Sequence, residues 1–126
     1  MKRIVLVGLA ILLLTNGCGK NSVDELITDS QSSDPKKRMI AVRLLQKRQE
    51  DAQRAVPALI RALKDEESDI RLSAAIGLGY YGDKAKEAIP ALSALTQDKD
   101  QRMREAATKA IERIDPQQLP VKAAAQ

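Results

Sequence analysis

The sequence lacks most of the side chains that usually build catalytic and metal sites. Its 126 residues include no His, no Trp and no Phe, and the only aromatic side chains are Tyr80 and Tyr81. Without His, the commonest general base and the commonest transition-metal ligand are both missing. We therefore predict that the chain is not an enzyme and that it holds no cofactor and no metal. Its core has to be built from Ala, Leu, Ile and Val.

Cysteine is nearly absent as well, and the single residue, Cys18, follows an N-terminus typical of an exported protein. Lys2 and Arg3 precede an apolar run over residues 4–14, which fits the ~7–15 residues of a signal-peptide core and is shorter than the ~20 of a membrane span. Gly17 and Cys18 resemble the end of the lipobox in bacterial lipoprotein signals. An ordinary cleaved signal peptide and a retained signal anchor are the alternatives.

The lipoprotein resemblance implies a division of the N-terminus. Residues 1–17 form the signal peptide, and residues 18–22 form a lipidated Cys18 with a short tether. The chain would then be anchored in the bacterial cell envelope and face the periplasm. The outer membrane is favoured over the inner one, because Gly19 stands where an inner-membrane retention signal has Asp.

Charge gives little reason to expect an anionic partner. Basic residues number 21 against 17 acidic ones, but Lys2 and Arg3 are lost with the signal peptide. Because the remaining excess is small, we predict no binding to nucleic acid.

What the chain does have is a repeat of 33 residues. The positions in register include three aliphatic residues, three acids and three arginines: Val23, Val56 and Ile89; Asp34, Glu67 and Asp100; Arg38, Arg71 and Arg104. A fixed period of roughly 20–50 residues is typical of stacked helical units. We predict an all-α fold, a short α-solenoid of about six helices over residues 23–115, followed by a disordered tail over residues 116–126.

Helix-starting and helix-breaking residues place the predicted helices. Asp34, either Glu67 or Ser68, and Asp100 are expected to begin the first helices of the three units, and the helix that starts at Asp34 is expected to run to about Arg48. The second helices are expected at residues 23–29, 55–64 and 84–97. Pro57 and Pro90 should lie in the first turn of their helices, where proline costs no hydrogen bond.

The segment over residues 70–82 resembles the first helix of the short bacterial HEAT-like repeat of the phycobilisome-lyase type. An aliphatic residue is followed by Arg, two spacers, a pair of alanines, then Leu-Gly and a closing Gly. The resemblance implies an α-solenoid of HEAT-like hairpins. It also implies a hydrogen-bonded ladder between neighbouring repeats, made by Arg38, Arg71, Arg104, Asp65 and Asp98. The residues alone leave open an alternative, a row of arginines that binds a phosphate or carboxylate.

In this family the second helices usually line the concave surface, which implies a binding surface there. The exposed positions expected on it are Arg54, Arg61, Lys64, Lys86, Glu87 and Ser93. Tyr80 should point outward as a contact residue, or else pack on a neighbouring loop, whereas Tyr81 should be part of the core.

Basic residues around the first repeat have two interpretations. Lys37 and Arg48 at core-equivalent positions indicate an end of the array that is poorly covered. Alternatively, the basic residues Lys36, Arg38, Arg43 and Lys47 face anionic lipid headgroups near the anchor.

These observations predict a non-catalytic, lipid-anchored HEAT-repeat protein that binds an unidentified protein or peptide as an adaptor or scaffold. Family analogy gives the alternative of a bilin-lyase-like enzyme or enzyme subunit. A structural envelope protein without a specific ligand is a further alternative.

Overall fold

The computed structural model describes residues 21–119, and every regular element in that part of the chain is helical. The six α-helices are α1 (Val23–Asp29), α2 (Pro35–Leu45), α3 (Ala52–Ala62), α4 (Ser68–Tyr80), α5 (Ile89–Leu95) and α6 (Gln101–Ile114). Short 3₁₀ segments lie at Gln49–Asp51, Gly82–Ala88 and Pro116–Gln118. The predicted all-α fold of about six helices is confirmed.

Local capping explains where several helices begin. Ser22 and Glu25 form a capping box at the start of α1, each side chain accepting a backbone N–H of the other residue. The Asp34 carboxylate accepts the N–H of Lys36 at 2.9 Å, and Asp100 accepts that of Arg102 at 2.9 Å. These contacts satisfy N–H groups that have no partner within the helix.

The helices form two layers that run the length of the array. The first helices α2, α4 and α6 stack side by side, while α1, α3 and the segment from Gly82 to Leu95 form the second layer. Leucine and isoleucine side chains fill the space between the layers, with alanine where helices approach closely. The buried residues form one cluster within residues 21–119, so this part of the chain has its own core.

Helix α3 begins three residues before the predicted start at residue 55 and ends at Ala62. Pro57 therefore lies inside the helix and not in its first turn. The bond lost at Pro57 is the one to the carbonyl of Gln53, a residue exposed to solvent, which allows water to replace the missing donor.

The predicted helix over residues 84–97 is wrong in its first half. A 3₁₀ segment occupies Gly82–Ala88, and Ala85 has non-helical angles of φ −105° and ψ 21°. Regular helix exists only over Ile89–Leu95. Gly82 turns the chain with φ +54°, the left-handed conformation that glycine adopts without strain. Similarly, α2 ends at Leu45, before the predicted end at Arg48.

The ends of the chain differ in how much of them is described. Pro116–Gln118 forms a 3₁₀ turn and Leu119 packs against the core, so the predicted disordered tail does not begin at residue 116. The predicted signal peptide, Cys18 and residues 120–126 lie outside the described residues. Within residues 21–119, no helix is both long and apolar enough to cross a membrane.

Candidate functional site

An open groove lies where the second-layer helices meet the turns that precede them. It is lined by residues 49–54, together with Lys84 and Glu87 of the following 3₁₀ segment, and its volume is about 490 Å³. The Lys84 ammonium donates to the carbonyl of Gln49 across 3.3 Å, which joins the two walls. The groove is therefore fixed by contacts between neighbouring repeats.

The charges around the groove are of both signs. Three carboxylates, those of Glu50, Asp51 and Glu87, face two cations, Lys84 and Arg54. The Arg54 guanidinium also forms an ion pair with Asp24 of α1. Mixed charge of this kind matches a protein surface better than it matches a small anion.

Tyr80 lies beside the groove but does not line it. Its side chain is 52 % exposed, and the guanidinium carbon of Arg113 lies 5.3 Å from the ring centroid. Its backbone carbonyl accepts a hydrogen bond from the Gln49 amide at 3.0 Å. The ring thus points outward, as one alternative predicts, with an arginine stacked on one face.

The structure separates the other predicted binding residues. Arg61 and Lys64 are exposed near the end of α3, away from the groove. Lys86 is exposed on the 3₁₀ segment Gly82–Ala88 but does not line the groove. Ser93 is half-buried, where the sequence predicts exposure. Its register equivalents Ile27 and Ile60 are half-buried as well, which explains the difference.

The predicted ladder residues meet at the turns between repeats. Arg38 is 7 % exposed and binds the Asp65 carboxylate twice, at 2.7 Å and 3.1 Å. A second carboxylate, that of Glu66, lies 3.2 Å from its guanidinium. The same guanidinium donates to the carbonyls of Ser32 and Ser33.

The two later arginines repeat only the carbonyl contacts. Arg71 donates to the carbonyls of Asp65 at 2.7 Å and Glu66 at 3.0 Å. Arg104 donates to those of Asp98 at 2.8 Å and Lys99 at 3.1 Å. No ion pair between Arg71 and Asp98 occurs among residues 21–119. Asp98 instead accepts the backbone N–H of Asp100.

The electrostatics of the first joint favour the charged form of Asp65. Burial opposes ionisation, but the Arg38 hydrogen bond, the Glu67 N–H and the charges of Arg38 and Arg71 outweigh it. The pKa of Asp65 therefore lies below its usual value of 3.8. Since the Arg38 guanidinium already donates to Asp65, Glu66 and the carbonyls of Ser32 and Ser33, it has no open donor for an anionic ligand.

Several residues of the groove were not predicted from the sequence. Glu50 and Asp51 lie in the turn between α2 and α3, and Lys84 lies in the segment for which the sequence predicts regular helix. The sequence gives little indication of these groove residues, because turn residues do not follow the periodic pattern that identifies a repeat. Within residues 21–119, no group of three or more acidic or thiol side chains is placed to hold a metal ion.

A family model described as HEAT repeats matches residues 23–112 and, again, residues 70–124. The chain belongs to the HEAT-repeat family. A comparison with curated proteins finds no match.

One solved structure extends this assignment toward the lyase type of HEAT fold. A chain in the complex of CpcE and CpcF of phycocyanin lyase from Nostoc sp. PCC7120 is 31 % identical, with a TM-score of 0.68. The match covers 78 % of this chain and 39 % of that chain. The HEAT protein thus corresponds to less than half the length of the relative.

This similarity contradicts the prediction that the chain is not an enzyme. The prediction depended on the absence of His and Trp, as though every catalytic group had to come from the chain itself. The matching structure belongs to a phycocyanin lyase that consists of more than one protein.

Proposed function

We propose that this HEAT protein is a lyase-type enzyme subunit that acts together with another protein. The observation that supports this most strongly is the likeness to a chain of the phycocyanin lyase complex over 78 % of its length. Because the chain spans only 39 % of that relative, it would supply one part of an assembly.

The groove lined by residues 49–54, Lys84 and Glu87 is the proposed contact surface for that protein. It is open, it presents charges of both signs, and neighbouring repeats hold its walls together. Tyr80 extends the surface, since an exposed aromatic ring beside a charged groove is a favourable contact. The exposed residues Arg61, Lys64 and Lys86 would contact only a partner that extends beyond the groove.

Calorimetric titration of residues 21–119 with CpcE, CpcF and apo-phycocyanin of Nostoc tests this proposal. We expect binding to at least one of them, weakened about tenfold by Lys84→Glu or Glu87→Lys, which corresponds to about 1.4 kcal/mol. Glu87→Lys is the cleaner variant, because replacing Arg54 would break its ion pair with Asp24 and replacing Lys84 would break its hydrogen bond to Gln49.

Lys109→Glu is the matched control, since Lys109 is exposed on α6 and lies outside the groove. Binding should be unchanged in this variant. Absence of binding to all three proteins would contradict the proposal, as would an equal loss in the control.

We also propose that the chain is exported and lipid-anchored through Cys18. Lys2, Arg3, the apolar run over residues 4–14 and the Gly17-Cys18 pair support this. An anchored chain would hold its partner at the membrane as an adaptor, and could act only on a substrate present in the same compartment.

Metabolic labelling with a fatty-acid probe tests the anchor separately from the lyase proposal. Wild-type protein should be labelled and the Cys18→Ala variant should not. Unlabelled wild-type protein would remove the lipid anchor and leave the lyase proposal untouched.

A further inference from the structure

Helix α2 is the first member of the layer formed by α2, α4 and α6, and one of its sides is not covered by another helix of that layer. Within residues 21–119, only α1 precedes it, and α1 belongs to the second layer. We define the end face as the side of α2 and its C-terminal turn formed by Lys37, Ile40, Leu44 and Lys47.

The other first helices show what this side does elsewhere in the array. In α4, Ser73 and Gly77 contact Gln46 of α2, and the Gln46 amide donates to the Ser73 carbonyl at 2.8 Å. In α6, the equivalent Ala110 lies against Gly79 of α4. This is therefore the side by which each first helix packs on the helix before it.

The residues of the end face differ from their equivalents in both size and charge. Ile40 is 58 % exposed, and its equivalents are the small Ser73 and Ala106. Lys37 is exposed, whereas its equivalent Ile70 is only 2 % exposed. The end face thus has an apolar centre, Ile40 and the half-buried Leu44, with a lysine beyond each end.

We propose that the end face binds an amphipathic helix of a partner protein, one whose apolar stripe is flanked by carboxylates. The apolar stripe would cover Ile40 and Leu44, and carboxylates would pair with Lys37 and Lys47. The partner helix needs small residues opposite Ile40, because Ile40 is larger than Ser73 and Ala106, its equivalents in α4 and α6. The surface is separate from the groove, so this proposal goes beyond the proposed lyase function.

A second copy of this chain does not have the required chemistry. The side of α6 that would meet the end face of another copy presents Glu105 and Glu112, in register with Met39 and Gln46 of α2. Both are exposed. They match the lysines in charge, but they offer no apolar group to cover Ile40.

A flat anionic membrane also fits poorly. The neighbouring helix at this end, α1, has Asp24, Glu25 and Asp29 and no basic residue. A planar surface of negative headgroups that reached the lysines of α2 would meet these carboxylates as well.

Nuclear magnetic resonance titration of isotope-labelled residues 21–119 tests the proposal with a defined probe. The probe is a short helical peptide with a Leu and Ala stripe flanked by Glu, and a matched peptide has Lys in place of Glu. We expect the Glu peptide to shift the signals of the end face. Ile40→Asp should weaken this binding about tenfold or more.

Charge reversal and a distant control complete the test. The double variant Lys37→Glu, Lys47→Glu should prefer the Lys peptide, while Lys109→Glu should bind as the wild type does. The Lys84→Glu variant, which alters the groove, should also bind the Glu peptide normally. Binding at the end face can therefore be tested whether or not the groove proposal holds. The end-face variants and Lys109→Glu should keep the wild-type melting temperature, since the changed side chains are exposed.

Three results would overturn the proposal. One is absence of shifts at the end face. Another is binding to phosphatidylglycerol vesicles, lost in Ile40→Asp, without binding to the peptide, which would assign the surface to a membrane. The third is a dimer abolished by Ile40→Asp, which would assign it to a second copy.

Discussion

At the scale of single residues, Arg38 differs from its two equivalents by joining two turns at once. It binds the carbonyls of the turn before α2 and the Asp65 carboxylate of the turn after α3. Among residues 21–119, Arg71 and Arg104 bind only the preceding carbonyls. Removing one member of a buried ion pair leaves the other charge uncompensated. We therefore expect replacement of Arg38 or Asp65 to lower the free energy of unfolding more than replacement of Arg71 or Arg104 does.

Asp65→Asn is expected to change how stability depends on pH. The pKa of Asp65 in the folded protein lies below 3.8, so its ionisation stabilises the fold above that pH, and this contribution is lost as pH falls through the folded pKa. The variant should be less stable at neutral pH, and its difference from wild type should shrink in acid. Denaturant titrations across this pH range measure the difference.

Asp69→Asn is the control for Asp65→Asn, since Asp69 is exposed and its ion pair with Arg102 is long, at 3.9 Å. It should change stability little at any pH. A stability difference between wild type and Asp65→Asn that stays constant across this pH range would contradict the role assigned to the Arg38–Asp65 pair.

Tyr81 joins the end of α4 to the end of α2, because its hydroxyl donates to the Leu45 carbonyl. Tyr81→Phe removes this hydrogen bond while the Leu45 carbonyl keeps the one from the Arg48 N–H, and we expect a loss of about 0.5–1.5 kcal/mol in the free energy of unfolding. Denaturant titration at neutral pH measures it. Tyr80→Phe is the control and should change stability by less than about 0.5 kcal/mol.

The raised pKa of Tyr81 predicts that wild type and Tyr81→Phe differ in how their stability falls at alkaline pH. Burial, followed by the charge of Glu50, raises its pKa from 10.0 to about 12. Its contribution to stability is therefore complete below pH 10 and is lost as pH rises towards 12. The Tyr81→Phe variant should lack this part of the alkaline loss; an identical alkaline loss in both proteins would contradict the assignment.

At the scale of helices, α4 holds the array together because glycines let both of its neighbours approach. A Cβ added at Gly77 would lie 2.3 Å from Cγ of Gln46 in α2. A Cβ added at Gly79 would lie 3.1 Å from the Ala110 Cα in α6. Small residues are therefore required on both sides of this helix.

Gly77→Ala is expected to lower the free energy of unfolding by about 1–3 kcal/mol through overpacking, although Ala favours helix over Gly by up to about 1 kcal/mol. The displaced Gln46 side chain would also lose its hydrogen bonds to Ser73. Denaturant titration measures the loss.

The double variant Gly77→Ala, Gln46→Ala tests the cause. With Gln46 shortened, the added methyl group has room, so the double variant should lose at least about 1 kcal/mol less than the two single losses together. Additive losses would show that Gln46 does not limit the space at Gly77.

At the scale of the whole molecule, the period of the sequence was enough to predict the solenoid. The three arginines and the aliphatic residues in register define helices that recur at the same spacing, and the structure has those six helices. The boundaries at α3 and Gly82–Ala88 were less predictable, because Pro57 is tolerated inside a helix and Ala85 leaves helical geometry despite a favourable sequence.

The candidate site was predicted only in part. Arg54 and Glu87 line the groove as second-layer residues should, but Glu50, Asp51 and Lys84 come from turns whose position depends on contacts between repeats. The end face was visible in the sequence only as Lys37 at a core-equivalent position. The prediction that the chain is not an enzyme is contradicted by its similarity to a phycocyanin lyase structure, because that prediction depended only on residues that the sequence lacks.

The central claim, that this chain is a lyase-type HEAT subunit, is tested most directly by measuring the attachment of a bilin to apo-phycocyanin. The change in visible absorbance would be followed with CpcE alone or CpcF alone, each with and without the chain. We predict that the chain increases the rate about tenfold or more with one of them, and that Glu87→Lys removes the increase. A rate unchanged by the chain in both mixtures would contradict the claim.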